Sequence, residues 1–298
     1  MVVRATVCLG LVLAVSEACV GCHVAVDGAS TLDPRILESS GLVQSRRYPG
    51  VFWTHSDSSQ AAVLYAVDGH GRLLRNYELR GEKNVDWEDI AIDDDGHLYL
   101  GDIGNNGSQR RDLAVLRFAE PDPRAEGAEI GGVQRIPFRY PDQDFVGEAV
   151  PNFDAESLFW ANGELYLLTK HRSDQSTTLY RFPSLRGSQV RDLERISEFN
   201  LGGYWARFGG MATAADLRRE GDVLVVLTYH ALFFFDAPRD GHDYLARLRK
   251  RIDFDQRATG QCEAVAWDGD DVVFTNESGS IFRIVDPLGS DHVEFPAD

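Results

Sequence analysis

Lysine is scarce in this 298-residue chain, and positive charge as a whole is outnumbered. The sequence has 47 acidic residues against 30 lysines and arginines, which gives a formal net charge of -17. Its lysines are Lys83, Lys170 and Lys250. Binding of nucleic acids depends on basic patches that displace counterions from phosphates. The composition therefore argues against nucleic acids, and against anionic membrane surfaces, as partners.

Cysteine is also rare, with four in the chain. We expect Cys8 to be removed with a signal peptide. The other three, Cys19, Cys22 and Cys262, cannot all pair with one another, so no disulfide framework is predicted. Residues 19–23, CVGCH, have the spelling of a c-type haem attachment site. No helical haem-binding sequence follows them, and a processing site is the simpler interpretation.

Long hydrophobic runs are missing after the first residues. The apolar run from Ala5 to Val15 follows Arg4 and is too short for a membrane anchor. We predict a signal peptide over residues 1–22, an extracytoplasmic location (secreted or periplasmic), and a linker over residues 23–37. Residues 20–22 also have the form of a lipoprotein signal, so a lipid anchor at Cys22 is the alternative to free secretion. No later stretch reaches the ~18 apolar residues that a membrane helix requires.

Helical patterning is weak, and short strands follow one another from Glu38 onward. The stretch Val85–Asn106 places an acidic residue before an apolar strand, a polar turn and a second strand. Similar stretches occur at 154–170 and 261–277, with weaker copies from Glu38 and Phe208. Repeats of about 50 residues with four strands each are typical of propeller blades. The sequence therefore predicts an all-β, five-bladed β-propeller with four-stranded antiparallel blades over residues 38–298, and six blades are the alternative.

Two parts of this propeller are left open by the pattern. The segment Tyr244–Phe254 fits both helical spacing and strand alternation, so it is either the outer strand of the fourth unit or an inserted helix. A fourth strand of the fifth unit is predicted at His292–Phe295. Whether that unit closes alone or with an N-terminal strand is not decided by the repeat.

Alignment of the five units places one set of residues at an equivalent position, where the innermost strands begin. The set consists of Ser40, Glu88, Glu156, Gly210 and Glu263. Three glutamates that converge in a narrow channel would raise one another's pKa unless a cation offsets them. Ca²⁺ suits such a site because it accepts about 6 to 8 oxygen ligands in irregular geometry. The alternative is that these glutamates cap backbone N–H groups without an ion, as Asp86 and Asp154 could also do.

Polar residues at the ends of the second strands are expected to gather at one mouth of the channel. We predict ligand-binding roles for Asn105, Lys170, Arg172, His230 and Asn276, and candidate catalytic roles for His55, Asp57 and Asp102. Their mixed charges suit a small polar or phosphorylated ligand, whose anionic oxygens the basic side chains would meet. A solvated loop surface is the alternative interpretation.

The same stretches resemble known proteins at two levels. ESSGL (38–42), DWEDIAI (86–92), LYLGDIGNN (98–106) and CEAVAWD (262–268) are similar to a family of exported bacterial β-propeller proteins without an established function, over nearly the whole mature chain. WEDIAIDDDGHLYLGDIGN (87–105), AESLFW (155–160) and ESSGL also resemble, more distantly, the calcium-activated nucleotidases, or apyrases.

The apyrase resemblance implies a five-bladed propeller that hydrolyses nucleoside diphosphates with Ca²⁺ on the channel axis. It implies metal ligands at Ser40, Glu88, Glu156 and Glu263. The fourth blade departs from the family, because the family's serine position falls on residues 209–211, GGM, and Gly210 offers only a backbone carbonyl.

Two functional hypotheses follow. The first is an exported, monomeric Ca²⁺-binding propeller with a binding or scaffolding role outside the cytoplasmic membrane. The second is a metal-assisted hydrolase of phosphoanhydride or phosphoester bonds, in which a residue at the mouth positions water. A serine hydrolase is disfavoured because the sequence contains no G-x-S-x-G nucleophile elbow.

Overall fold

The prediction of a five-bladed propeller is confirmed. In the computed structural model, which describes residues 23–24, 30–58, 60–146, 150–202 and 210–289, five antiparallel sheets of four strands each follow one another along the chain. Blade 1 contains β3 (Ser39–Gln44), β4 (Val51–Ser56), β5 (Val63–Asp68) and β6 (Leu73–Leu79), and blade 2 contains β7 (Trp87–Ile92), β8 (His97–Asp102), β9 (Ala114–Ala119) and β11 (Gln134–Arg139). Blade 3 contains β12 (Ala155–Ala161), β13 (Glu164–Thr169), β14 (Ser176–Arg181) and β16 (Glu194–Asn200). Blade 4 contains β17 (Ala212–Leu217), β18 (Val223–Thr228), β19 (Ala231–Asp236) and β20 (Leu248–Phe254), and β21 (Cys262–Asp268), β22 (Asp271–Asn276) and β23 (Ser280–Ile284) belong to blade 5.

The fourth strand of blade 5 comes from the other end of the described chain. β2 (Ser30–Thr31) pairs antiparallel with β23, with Ser30 opposite Ile281 and Thr31 opposite Ser280. It lies within the segment predicted as a linker. The predicted strand at His292–Phe295 lies outside the described residues. Closure by a strand from the opposite end of the sequence joins the first and last blades into a ring, which leaves no open edge between them.

Three two-residue strands extend the outer edges of blades. β1 (His23–Val24) pairs parallel with β20, β10 (Glu129–Ile130) with β6, and β15 (Arg191–Asp192) with β11. The open question at Tyr244–Phe254 is resolved as a strand, since β20 covers its second half. One short helix, α1 (Gln256–Thr259), connects blades 4 and 5 and begins after Asp255, whose carboxylate caps the Arg257 backbone N–H.

The hydrophobic core is divided among the spaces between neighbouring blades. Each of five clusters of buried residues joins two consecutive blades, including the pair formed by blades 5 and 1. Trp53 of blade 1, for example, is buried in one cluster with Trp87 and Ile90 of blade 2. Both faces of a blade are therefore covered, which explains why strands such as Val223–Thr228 are buried throughout and do not alternate between buried and exposed residues.

Candidate metal and ligand site at the channel mouth

Each innermost strand has a bulge close to its first residue. At the bulge, one or two residues of the innermost strand have no opposite residue in the second strand of the blade. These residues are Ser40 in β3, Glu88 and Asp89 in β7, Glu156 in β12, Thr213 in β17 and Glu263 in β21. A bulge changes the direction of the extra side chain and is frequent next to functional sites. The repeated bulge is the local structure that brings equivalent side chains of different blades towards the channel.

The equivalent position in blade 4 is Thr213, and this corrects the alignment that placed Gly210 there. Gly210 precedes β17 and packs against the carbonyl of Gly202. The Thr213 hydroxyl is buried and donates a hydrogen bond of 2.8 Å to the carbonyl oxygen of Cys262, next to Glu263. Thr213 lies three residues after Gly210, and blade 4 has no glutamate at its bulge that would have marked the equivalent position in the repeat.

Four of the five bulges contribute to a single cavity at the channel mouth, with a volume of about 290 Å³. We call it the axial cavity. It is lined by Ser40, Asp57, Ser58, Asp86, Glu88, Asn106, Glu156, Lys170, Arg172, Tyr229, Gln256, Gln261, Glu263 and Glu277. Six of these residues are acidic and two are basic, so its lining is strongly negative.

Three carboxylates cluster at one side of the axial cavity. Asp57, Asp86 and Glu88 each place a carboxylate oxygen within 4.8 Å of the others. The Ser40 hydroxyl donates a 3.3 Å hydrogen bond to Oε2 of Glu88. Burial, followed by the charge of Asp57, raises the pKa of Asp86 to about 6. Burial and then the neighbouring carboxylates, Glu156 first, raise the pKa of Glu88 well above its usual range.

Lys170 neutralises the other side of the cavity. Its ammonium group is 3% exposed and donates hydrogen bonds to Oε2 of Glu156 and, at 2.7 Å, to the Tyr229 hydroxyl. Burial disfavours the charged lysine, but Glu156 and Glu263 outweigh this effect and raise its pKa well above the usual value. Burial also raises the pKa of Glu263 to about 7. Lys170 thus provides a fixed positive charge where the sequence suggested a side chain available to a ligand.

Arg172 lies at the rim of the cavity. Its guanidinium donates to Oδ2 of Asp154 at 2.7 Å and to the side-chain oxygen of Asn106, and it lies 3.8 Å from Oε1 of Glu156. Asp154 is fully buried and also accepts a 2.6 Å hydrogen bond from the backbone N–H of Asn105. Both basic side chains of the cavity therefore pair with Glu156 and Asp154, and not with the carboxylate trio of Asp57, Asp86 and Glu88.

Asp57 is the one predicted catalytic residue that lines the axial cavity. His55 is fully buried, its Nδ1 lies 3.1 Å from the Ser56 carbonyl oxygen, and burial lowers its pKa to about 4. Asp102 is also fully buried and accepts hydrogen bonds of 2.8 Å from both Arg110 and Arg135. These contacts give His55 and Asp102 positions within the blades, away from the cavity lining.

Three predicted ligand-binding residues likewise lie outside the lining. The Asn105 side chain accepts from the backbone N–H groups of residues 109 and 110, and so holds the loop after β8. Asn276 donates to the Thr259 carbonyl oxygen at 2.6 Å and accepts from the Ser280 backbone. His230 lies 3.4 Å from the Arg251 guanidinium at the outer side of blade 4.

Some cavity residues were not expected from the repeat. Gln256 is the first residue of α1 and Gln261 directly precedes β21; both line the cavity, and the Gln261 amide donates a 2.6 Å hydrogen bond to Oε1 of Glu277. Nothing in the strand pattern marks this connecting segment. Asp86, which the sequence offered as a capping residue, belongs to the carboxylate trio.

Asp89 crosses the channel next to the cavity. Its carboxylate accepts backbone hydrogen bonds from Leu158 of blade 3, at 2.8 Å, and from Ala215 of blade 4, at 3.4 Å. Blades 2 and 4 are not neighbours in the ring, so a side chain that joins them spans the axis. This fully buried carboxylate links three blades beside the bulge that supplies Glu88.

The donor set of the trio fits a hard divalent cation. Carboxylate and hydroxyl oxygens are the ligands that Ca²⁺ prefers, and the residues that line the axial cavity include no histidine or cysteine of the kind that Zn²⁺ requires. The backbone of Gly104 lies so close that a β-carbon there would overlap the carboxylates of Asp86 and Glu88. This close approach fixes the two carboxylates beside each other.

No family model matches the chain, and no curated protein matches it. Among solved structures, a gluconolactonase of Xanthomonas campestris is 13% identical, with 82% of this chain and 71% of that chain covered and a TM-score of 0.43. The hydrazine synthase of Kuenenia stuttgartiensis is 9% identical, over 80% and 69% of the two chains, with a TM-score of 0.43. The β-propeller domain of Cps50 (Swd1) from Myceliophteria thermophila is 10% identical over 82% of each chain, with a TM-score of 0.39.

Within the described part of the chain, no helix is long and apolar enough to cross a membrane.

Proposed function

We propose that this protein is an exported Ca²⁺-binding β-propeller, whose axial cavity binds a small polar ligand through the cation. The observation that carries this proposal is the carboxylate trio. Three carboxylates within 4.8 Å of one another face an open cavity, while the two basic side chains of that cavity pair elsewhere. Like charges at this distance repel in a buried site, and a cation relieves the repulsion.

The position of Lys170 divides the expected metal site into two parts. Glu156 and Glu263 already have the lysine ammonium as their counter-charge. The cation is therefore proposed to contact Asp57, Asp86 and Glu88, together with Ser40, and water or a ligand would complete the coordination. Asp57 and Asp86 are only half-buried, so this part of the cavity is accessible from the channel mouth.

Calcium titration of the mature protein tests the proposal. We expect Ca²⁺ to bind and to raise the melting temperature relative to chelator, because a cation that binds only the folded state stabilises it by about 2.7 kcal/mol at 100 times Kd. Glu88→Gln should weaken Ca²⁺ binding at least tenfold. Glu126→Gln, an exposed glutamate in a loop outside the cavity, is the matched control. Equal Ca²⁺ affinity in both variants, or no Ca²⁺-dependent shift at all, would contradict the proposal.

A second candidate function is metal-assisted hydrolysis of phosphoanhydride or phosphoester bonds. The observation in its favour is access, since a hydrolytic metal needs a coordination position open to substrate and the trio borders a cavity of about 290 Å³. Asp57, half-buried at that opening, is placed to orient a water molecule. Release of phosphate from a panel of nucleoside diphosphates, with Ca²⁺ and with chelator, tests it. Calcium binding without turnover would leave the binding function alone.

A further inference from the structure

A second cavity adjoins the axial cavity beside the strand that closes the ring. Its volume is about 620 Å³, and the segment that leads from β2 to β3 lines it with Leu32, Pro34, Ile36 and Leu37. We call these four residues the apolar shelf. The Leu37 side chain is 52% exposed, although it lies two residues before an innermost strand. An exposed leucine in a concave apolar surface is a contact point for an apolar group.

The two cavities share a wall. Glu277 lines both of them, and Glu38 lines the second cavity next to the apolar shelf. Glu277 accepts a hydrogen bond from Gln261, which belongs to the axial cavity. The boundary that a ligand would cross from one cavity to the other is therefore lined by carboxylates.

Backbone strain marks the same boundary. Glu38 has a φ of 50°, a conformation that non-glycine residues rarely adopt, and its carbonyl oxygen accepts a 2.9 Å hydrogen bond from the backbone N–H of Asp57. Strained residues of this kind are concentrated at ligand sites, where the surrounding structure holds them in place. Here the conformation links the apolar shelf to Asp57 of the carboxylate trio.

The size of the axial cavity points in the same direction. Ligand pockets usually have volumes of about 300 to 1,000 Å³, and the axial cavity, at about 290 Å³, is just below that range. It is large enough for a polar head group. A larger ligand would extend past Glu277 into the second cavity.

We infer that the natural ligand is an amphipathic small molecule with an oxyanion head, a hydrogen-bond donor beside the head, and an apolar chain. The inference rests on the proposed function, because the head would be held through the cation at the carboxylate trio. Glu277 and Glu38 are exposed in the free protein, and a ligand that spans the two cavities would cover them. The donor, such as an amide N–H, would meet one of these carboxylates, since covering a carboxylate with methylene groups alone is disfavoured. The chain would lie on the apolar shelf, against Leu37.

N-acylglycines are suitable probes, because they combine a carboxylate, an amide N–H and an acyl chain of variable length. Isothermal titration with N-acetylglycine, N-butanoylglycine and N-hexanoylglycine is carried out on Ca²⁺-loaded protein. A fully buried methylene improves binding about fourfold, and a half-open shelf should retain about half of that free energy. We therefore expect N-hexanoylglycine to bind at least about tenfold more tightly than N-acetylglycine.

The ratio of these two affinities is then measured for each of two variants and compared with the wild-type ratio. Leu37→Ser should reduce the ratio to near one. Leu74→Ser changes another exposed leucine, 40% exposed in β6, and should keep the wild-type ratio. Equal affinities for all three probes, or the same ratio in both variants, would overturn the inference.

A separate Ca²⁺ titration distinguishes this failure from failure of the proposed function. Ca²⁺ binding without binding of any acylglycine would refute the amphipathic ligand alone. Absence of both would refute the Ca²⁺ site and, with it, the ligand inference.

Discussion

Replacement of Lys170 by methionine is the most informative perturbation of the axial cavity. The ammonium group is 3% exposed, its partner Glu156 is 6% exposed at the side chain, and both are buried beside Glu263. Methionine preserves most of the length of the side chain but removes the charge. Removal of one partner from a buried ion pair typically destabilises a protein by about 3 to 5 kcal/mol, because the other charge is left uncompensated. For a domain of this size, that corresponds to a decrease in melting temperature of roughly 10 °C.

The pH dependence of this loss follows from the remaining carboxyl group. Without Lys170, the folded-state pKa of Glu156 is raised further above its unfolded value, because burial then acts without an opposing charge. Stability from a group with a raised folded pKa is present at low pH and is lost as the pH rises through that pKa. The destabilisation should therefore be larger at pH 8 than at pH 5.5.

Thermal unfolding in chelator, followed by circular dichroism, measures the effect. Lys83→Met, at an exposed lysine, is the matched control and should leave the melting temperature nearly unchanged. The double variant Lys170→Met/Glu156→Gln should recover much of the loss, since it removes the orphaned charge. Added Ca²⁺ should stabilise Lys170→Met more than the wild type, because additional carboxylates become available to a cation. An unchanged melting temperature for Lys170→Met, or no recovery in the double variant, would refute the interpretation of Lys170 as the internal counter-cation.

Two further predictions concern the neighbourhood of the cavity and the opposite part of the channel. In Gly104→Ala, the new β-carbon would displace the Glu88 carboxylate, so Ca²⁺ affinity should fall about tenfold, which corresponds to ~1.4 kcal/mol. Gly107→Ala is the control and should bind Ca²⁺ normally, because nothing lies within 4 Å of the added atom. Equal titration curves for both variants would contradict the proposed position of the cation. Asp216 is half-buried and accepts a 2.9 Å hydrogen bond from the Trp267 backbone N–H, and desolvation raises its pKa to about 7. Ionisation of Asp216 should lower the free energy of unfolding as the pH rises from about 4 to about 7. A shift of about three units between its unfolded and folded pKa corresponds to a loss of at most ~4 kcal/mol. Denaturant unfolding across this range should show a weaker decrease for Asp216→Asn, and an identical pH profile would show that the group titrates normally.

The positions of the glutamates could be predicted because they occur in a repeat. Glu88, Glu156 and Glu263 occupy equivalent places in successive units, and blades arranged around one axis bring equivalent places together. The Thr213 position could not be predicted in the same way. Its blade has no acidic residue at the bulge to align with those of the other blades. The place of a bulge is set by backbone pairing between strands, which the strand pattern of the sequence does not reveal.

Sequence by itself determined the strand-rich repeat and the convergence of acidic residues at one mouth, because these follow from periodic patterns within short stretches; it favoured five blades over six, and the structure decided between them. Tertiary structure alone decided that Ser30 and Thr31 close the ring, since a two-residue strand carries no periodic signal and its partner β23 is about 250 residues away. It also decided that Lys170 neutralises Glu156 and that Asp57 joins the carboxylate trio. The first role depends on where two side chains of blade 3 point, and the second on a distance between side chains of blades 1 and 2. No local pattern in the chain specifies such distances.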